Sequence, residues 1–454
     1  MGHKALQELA RDLTTAEALI TDLAGYEKYC HDATEETGSP LALVLAETEG
    51  DVVATMRFAH RHHIPVVPRG TGTGLSGGAV PSEGCLLLSL ERMRTLEIDA
   101  QHRLAICGPG VITKELMDAA AKHDLTYPPD PASYEECSLG GNVAENAGGL
   151  RCKRFGVTRD YVLGLRAVII DGGVLTTGCC NKEEALAMGD LLIGSEGTLA
   201  VITQMTLRLI PIPDVGHTVL VAFDRPQDAA RAIAGITAAG IIPNVMEYLD
   251  GDAAACSNKY EKLDGLDRAA AIVLIETTGD PDGGQLRSIS DICRTHHCSY
   301  LRSAADSKAA AELWRVRRNL SKAIRDVAKF RYNEDVAVPV SQFSTLIAYV
   351  SELNGGGPIR INAFGHAGDG NLHVSFLAMT GSDEELAVIG DGVDKLYRRT
   401  IALRGTLSGE HGIGLHKGRY LPWEFDQATL GFMKSIKEVF DPRCELNPGK
   451  IFPE

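Results

Sequence analysis

Two short glycine-rich segments carry histidines and a carboxylate in a pattern that suits a metal. The first reads Phe364-Gly365-His366-Ala367-Gly368-Asp369-Gly370-Asn371-Leu372-His373, and the second reads Ser408-Gly409-Glu410-His411-Gly412-Ile413-Gly414. On one straight strand, His366 and His373 would face opposite ways. Ala-Gly-Asp-Gly-Asn between them is a strong turn signal, so the two imidazoles can converge. Glu410 then offers the carboxylate of a set with two imidazoles and one carboxylate. Such a set suits a divalent metal, zinc first, with manganese or iron as alternatives. The competing reading is a pair of ordinary polar turns.

Three further glycine-rich stretches point to different chemistry. Pro68-Arg69-Gly70-Thr71-Gly72-Thr73-Gly74-Leu75-Ser76-Gly77-Gly78 directly follows an apolar strand. Successive N–H groups with no Cβ in the way form a nest suited to pyrophosphate. It is not the G-x-G-x-x-G that feeds a helix, because Gly78-Ala79-Val80-Pro81-Ser82 leads to another strand. Segment 128–149 contains Pro128-Pro129-Asp130-Pro131 and then Cys137-Ser138-Leu139-Gly140-Gly141-Asn142-Val143-Ala144-Glu145-Asn146-Ala147-Gly148-Gly149. Segment 194–203 reads Gly194-Ser195-Glu196-Gly197-Thr198-Leu199-Ala200-Val201-Ile202-Thr203. Together the three imply one long, polar, phosphorylated ligand.

A third candidate is Arg317. Residues 305–329 read as one helix, on which Leu313, Val316, Leu320, Ile324 and Val327 share a face. Arg317 sits at the edge of that stripe with Ser321 one turn on, while Arg315 and Arg318 point away. Its guanidinium is thus aimed inward, to grip a carboxylate through two hydrogen bonds or to sit in a buried salt bridge. Arg331, Asn333 and Glu334 follow at the helix end.

The elements that must position these residues fall into two grammars. Residues 5–30 read as one or two helices, 41–47 as a strand, 49–63 as a helix and 64–68 as a buried strand. Strands are expected at 85–90, 95–99 and 103–108, a helix at 112–123, and strands again at 162–171 and 198–209. Segment 127–156 has little regular pattern, and a loop of that length is usually functional. After Pro211-Ile212-Pro213 the order over 217–303 is β-α-β-β-α-β, the ferredoxin-like pattern. Helices at 305–329, 341–353, 382–403 and 425–439, and strands near 358–364 and 371–378, complete the chain. The expected division is a domain for the phosphorylated ligand over 1–213 with its core from about 38, a substrate domain with the metal segments over 214–424, and a C-terminal segment 425–454,.

Composition narrows the classes. The chain has 454 residues, 44% hydrophobic and 23% charged, enough for two or three domains,. With 45 basic against 60 acidic residues and no basic tract, a nucleic-acid partner is excluded from the reading,. No apolar run reaches the ~18 residues of a membrane span, and the N-terminus lacks an apolar signal region, so the expectation is a cytoplasmic protein. The eleven cysteines, Cys179 and Cys180 among them, form no C-x-x-C pair. They read as free thiols in a reducing compartment rather than an iron–sulfur module.

The glycine stretches, taken in order, resemble the FAD-binding domain of the vanillyl-alcohol oxidase and p-cresol methylhydroxylase flavoproteins. F-G-H-x-G-D-G-N-x-H and S-G-E-H-G-I-G resemble the C-terminal domain of FAD-linked 2-hydroxyacid dehydrogenases, the group of D-lactate dehydrogenases, D-2-hydroxyglutarate dehydrogenases and the corresponding glycolate oxidase subunits. The tail from Asp441-Pro442 to Asn447-Pro448-Gly449-Lys450 is similar to theirs, and the likeness spans roughly residues 40–453. It implies an α+β fold class: a p-cresol methylhydroxylase-type FAD-binding domain of two α/β subdomains, plus a ferredoxin-like antiparallel cap domain. It also implies non-covalent FAD, because no histidine lies between 64 and 80 to match the one some relatives use for attachment.

The implied FAD contacts are Pro68, Arg69, Gly70, Thr71, Gly72, Thr73, Gly74, Ser76, Gly77 and Gly78; Pro129 and Asp130; Ser138, Gly141, Asn142, Asn146, Gly148 and Gly149; Glu196, Gly197 and Ile202; and Asn447, returning from the tail. Arg317, matching the family's W-x-x-R element, is implied to bind substrate with Ser321, Asn333 and Ser375. His366, His373 and Glu410 are the implied metal ligands, and His411 the general base, for which an imidazole of unperturbed pKa ~6.5 is suited. Relatives commonly carry a basic residue near Asn333, so a neutral amide there marks a departure in substrate recognition. The implied reaction is FAD-dependent, metal-assisted oxidation of a small D-2-hydroxy acid to the 2-oxo acid, with hydride passing to flavin N5. D-lactate is favoured, with D-2-hydroxyglutarate or glycolate as alternatives. Electrons would pass to an electron-transfer flavoprotein, cytochrome or quinone, and a homodimer is compatible with the reading. The rival readings are a flavin-dependent alkyl-transfer synthase of the same fold, a metal-dependent phosphoesterase and a non-catalytic binding protein.

Overall fold

Short apolar runs build the first part of the chain. In a computed structural model, residues 3–34, 36–178, 188–214, 216–260, 262, 263, 266, 269–355 and 357–452 are described. Cys179 and Cys180 lie outside them. Strands β1 (Leu19–Ile20), β2 (Ala42–Leu45), β3 (Val66–Arg69) and β4 (Leu86–Ser89) form a sheet in the order β1-β2-β4-β3. Both β2 and β3 run parallel to β4. β2 and β4 are buried at every position, as parallel strands covered on both faces must be. Helix Glu49–His62 makes the crossover from β2 to β3. A capping box between Thr48 and Asp51 starts it, and His63 ends it in the left-handed conformation,.

The next strands are β5 (Leu96–Asp99), β6 (Leu104–Cys107), β7 (Leu125–Thr126), β8 (Val162–Val168), β9 (Val174–Gly178), β10 (Val201–Arg208) and β11 (Ile210–Pro211). A second, antiparallel sheet runs β5-β6-β10-β8-β9, and β7 pairs with β11. The irregular stretch at 127–156 contains two short helices, Leu139–Glu145 and Cys152–Phe155, which its glycines concealed.

The chain forms two units. The first is Met1–Gly149, Gly156–Ile212 and Glu410–Glu454; the second is Leu150–Phe155 and Pro213–Gly409. Within the first, the C-terminal segment returns to β3. Leu446 bridges Val66, and the Asn447 N–H donates to the Val66 carbonyl at 2.7 Å. The buried Lys437 ammonium holds this return, donating to the Thr198 and Leu446 carbonyls (2.8 Å each) and to the fully buried Asp441 carboxylate (2.6 Å).

The second unit is one seven-stranded sheet. Its strands are β12 (Thr218–Phe223), β13 (Val245–Asp250), β14 (Ala271–Glu276), β15 (Cys298–Ser303), β16 (Phe330–Ala337), β17 (Arg360–His366) and β18 (Asn371–Ala378). The order β15-β12-β14-β13 is the ferredoxin-like arrangement expected from the sequence, and β17-β18-β16 extend it,. Helix Gly251–Tyr260 is an addition between β13 and β14. One face of the sheet packs a core of Leu220, Leu249, Ile272 and Leu274 against Leu313, Val316, Leu320 and Ile324.

Two local expectations are corrected. The helix expected over 305–329 is broken at Asn319 into Ser307–Arg318 and Leu320–Arg325, and Val327 lies beyond it. Arg331, Asn333 and Glu334 are not a helix end but part of strand β16. Among the described residues no helix is long and apolar enough to cross a membrane.

Lys437→Met removes the cation from a buried pair and leaves Asp441 uncompensated, which costs about 3 kcal/mol or more. A clear fall in the urea midpoint is expected; an unchanged midpoint would show that the ammonium does not hold the tail.

Candidate active site

The turn between the two histidines forms as the sequence requires. β17 ends at His366 and β18 starts at Asn371. Gly370 between them has φ +79°, and a Cβ there would lie 1.9 Å from the Val338 carbonyl oxygen. Both imidazoles are buried, with ring centroids 5.4 Å apart at right angles.

Each imidazole meets a carboxylate with no solvent exposure. His366 Nδ1 lies 2.5 Å from Glu247 Oε1, and Arg317 Nε donates to Glu247 Oε2 at 2.6 Å. Burial alone would raise the Glu247 pKa, but electrostatic attraction to His366 and Arg317, with the hydrogen bonds they make to it, holds it down at about 2. Glu247 is therefore ionised, and His366 Nδ1 must carry the proton. His373 Nδ1 lies 3.5 Å from Asp335 Oδ1, which also accepts from Asn371 Nδ2 at 2.7 Å. An imidazole that gives its Nδ1–H to a carboxylate presents the Nε2 lone pair, the form in which histidine ligates divalent metals. His366 is held in that form, His373 faces the Asp335 carboxylate across a longer contact, and the two rings offer ligating atoms within 4.8 Å of one another, able to hold a cation. Gly409 packs flat on this group: a Cβ there would lie 1.7 Å from Asn371 Nδ2 and 2.8 Å from Asp335 Oδ1. Glu410 and His411 are the next two residues, at the start of the segment that returns to the first unit.

The expected substrate residues share the second unit. Arg317 is buried as expected, and Arg315 and Arg318 are exposed. Its Nε is committed to Glu247, so the salt-bridge reading of the sequence is realised at that atom. The Ser321 side chain lies outside the described residues. Asn333 and Ser375 are directly opposed on β16 and β18, and Ser375 Oγ donates to Asn333 Oδ1 at 2.9 Å.

In the first unit the glycine stretches are tied together by several of the side chains expected to touch FAD. Arg69 donates to the carbonyls of His31 (2.6 Å) and Lys28 (2.9 Å). Asn142 Nδ2 donates to Thr113 Oγ1, and Asn146 Oδ1 accepts from the Arg159 N–H. The Glu196 carboxylate accepts from the Ile413 and Gly414 N–H groups at 2.7 Å each. Asn447 Nδ2 donates to the carbonyls of Gly78 (3.1 Å) and Glu196 (2.8 Å), joining the first and third stretches.

Other groups face a different way. Ser76 Oγ, Ser138 Oγ and Asn447 Oδ1 are buried without a partner among the described residues. Ser76 and Ser138 belong to the first and second glycine stretches, and Asn447 joins the first to the third. Unpartnered polar atoms at two of the donor-rich loops and on the tail segment that joins the first to the third fit a long polar cofactor. Thr71, Gly72, Thr73 and Gly74 are partly exposed; Pro129, Asp130, Gly148, Gly149 and Ile202 are buried.

Sequence reasoning missed Glu247 and Asp335, and gave Glu145 no role. Glu247 had a signal: an acid in the middle of the apolar run Val245-Met246-Glu247-Tyr248-Leu249. Glu145 Oε2 is buried and unpartnered, and burial, with Glu196 and Asp32 nearby, pushes its pKa well up.

Comparison with known proteins agrees with these groupings. Residues 40–178 match the FAD binding domain family and residues 212–451 the family described as FAD linked oxidases, C-terminal domain. The chain is 34% identical to glycolate oxidase subunit GlcD of Bacillus subtilis, covering 100% of this chain and 97% of that one. It is 34% identical to a D-lactate dehydrogenase of Archaeoglobus fulgidus, over 94% of this chain and 95% of the relative. The structure of p-cresol methylhydroxylase with substrate bound superposes with a TM-score of 0.78 at 15% identity, over 99% of this chain and 96% of the other, so the fold is shared. The chain therefore belongs to the FAD-linked oxidases, in the group that includes GlcD and the D-lactate dehydrogenases, and is an FAD-dependent oxidoreductase with a p-cresol methylhydroxylase-type α+β fold.

Proposed function

We propose that this protein oxidises a small D-2-hydroxy acid to the 2-oxo acid with the help of a divalent metal, D-lactate being the favoured substrate. The observation that carries this reading is the pair of buried carboxylate–imidazole couples, Glu247–His366 and Asp335–His373, in the same chain as an FAD-binding domain. The first unit would hold FAD non-covalently at its glycine stretches, and the second would hold substrate and metal. His366 and His373 would bind the cation through Nε2. Glu410 would complete the set, reached from Gly409 across one peptide bond. Zinc suits this donor set, as do manganese and iron.

The chemistry divides among these groups. Oxidation removes the hydroxyl proton and a hydride from C2 of the acid. His411, next in the chain to Glu410, would take the proton as general base. The polar group around Arg317, Asn333 and Ser375 would fix the carboxylate, and so the direction in which C2 points. When bound, FAD supplies the hydride acceptor at N5, and the divalent ion supplies Lewis acidity toward a hydroxyl oxygen. Electrons would leave to a separate acceptor: an electron-transfer flavoprotein, a cytochrome or a quinone. The phosphoesterase reading has no use for the flavin domain, and an alkyl-transfer synthase has none for two carboxylate-oriented imidazoles.

Elemental analysis of the purified protein is expected to find about one divalent ion per chain. Chelation should abolish D-lactate oxidation, and re-adding zinc, manganese or iron should restore it; full activity in metal-free protein would remove the ion from the reaction. Glu247→Gln leaves His366 without an anionic partner and should weaken metal retention about 10–100-fold while FAD stays bound. Wild-type metal content in that variant would show that Glu247 does not orient a ligand. His411→Ala should slow flavin reduction about 10²–10⁴-fold with FAD and metal intact, whereas normal turnover would exclude it as the base.

A further inference from the structure

We propose that Arg331 and Asn362 form an anion subsite beside the imidazole pair, and that this subsite takes the substrate carboxylate. The proposal rests on the 2-hydroxy acid reading and adds two residues to it. Arg331 is on β16 and Asn362 on β17, with β18 between them. The register sets Asn362, Ser375 and Asn333 side by side across the three strands. Arg331 lies two residues from Asn333 and so faces the same side. Its side chain folds back onto this row: Nε donates to Ser375 Oγ at 3.1 Å and Nη2 to Asn333 Oδ1 at 2.9 Å. His373 is two residues from Ser375 on β18, roughly 7 Å along the same face.

Two features of this row call for a ligand. The first is charge. Both partners of Arg331 are neutral, and no carboxylate pairs with it among the described residues. Burial, and then repulsion from Arg325 and Arg317, press its pKa down to about 10. Arg317, by contrast, already has the Glu247 carboxylate as its counter-ion. The second feature is Asn362, which is 1% exposed, with neither Oδ1 nor Nδ2 partnered among the described residues. A buried amide with both atoms unpartnered is rare in a native fold. A carboxylate between the two would accept from the remaining Arg331 N–H donors and from Asn362 Nδ2. One guanidinium flanked by a neutral amide and a hydroxyl matches a single negative charge.

Propanoate, which is lactate without its hydroxyl, probes the subsite without chemistry. Its affinity for the FAD- and metal-loaded protein is measured by ligand-observed NMR titration, alongside D-lactate kinetics. Arg331→Met should weaken propanoate about tenfold or more and raise the KM for D-lactate similarly, with kcat, FAD and metal content near wild type. Arg331→Lys should recover part of the loss. Asn362→Leu should weaken propanoate severalfold without lowering Tm, because it removes two unpartnered polar atoms. Wild-type propanoate affinity in Arg331→Met would overturn the proposal, as would an Asn362→Leu protein that loses stability but binds normally. D-lactate oxidation with unaltered KM in both variants would leave the proposed function standing and remove the subsite. Propanoate binding that depends on both residues, in a protein no 2-hydroxy acid reduces, would do the reverse.

Discussion

A carboxylate with no solvent exposure sits in the middle of an apolar strand, shared between a guanidinium and an imidazole. Glu247 can be ionised there only because Arg317 and His366 both face it, within 2.6 Å. Isolated, that charge would be expelled or neutralised. The constraint spreads outward. It fixes the proton on His366 Nδ1 and ties helix Ser307–Arg318 to the sheet. It also uses the charge of the arginine that the sequence offers as a substrate clamp. On the other side of the turn the buried Asp335 carboxylate faces His373 at 3.5 Å and accepts from Asn371 Nδ2. A chain that buries two acids behind two histidines holds those rings in one orientation.

The first unit solves a different problem. Glycine loops that approach a cofactor closely have little packing of their own, so they must be held from behind. Arg69, Asn142, Asn146, Glu196 and Asn447 do this with bonds to backbone and to one another. Ser76 and Ser138 of the first two motifs keep their hydroxyls unpartnered among the described residues. A motif residue therefore need not touch the ligand to be required: some build the nest and others line it.

Much of this was legible in the sequence, and the exceptions have common causes. The parallel strands β2 and β4 announce themselves as unbroken apolar runs, the ferredoxin-like order follows from alternating periods, and the histidine turn is written in Gly368-Asp369-Gly370-Asn371. Strand β16 was hidden because Arg331, Asn333 and Asp335 alternate as the inward residues of a polar face, so the usual apolar period is absent. The break at Asn319 was hidden because Leu313, Val316, Leu320 and Ile324 keep helical spacing across two helices. Glu247 and Asp335 are far in sequence from the histidines they hold, and only sheet register brings them together.

The most direct measurement is anaerobic mixing of the FAD- and metal-loaded protein with D- and L-lactate, D- and L-2-hydroxyglutarate and glycolate, following the visible flavin band. Rapid bleaching by a D-2-hydroxy acid, with the L-enantiomer inert and the matching 2-oxo acid formed, is the expected result. A flavin that no 2-hydroxy acid of either hand reduces would contradict the central claim.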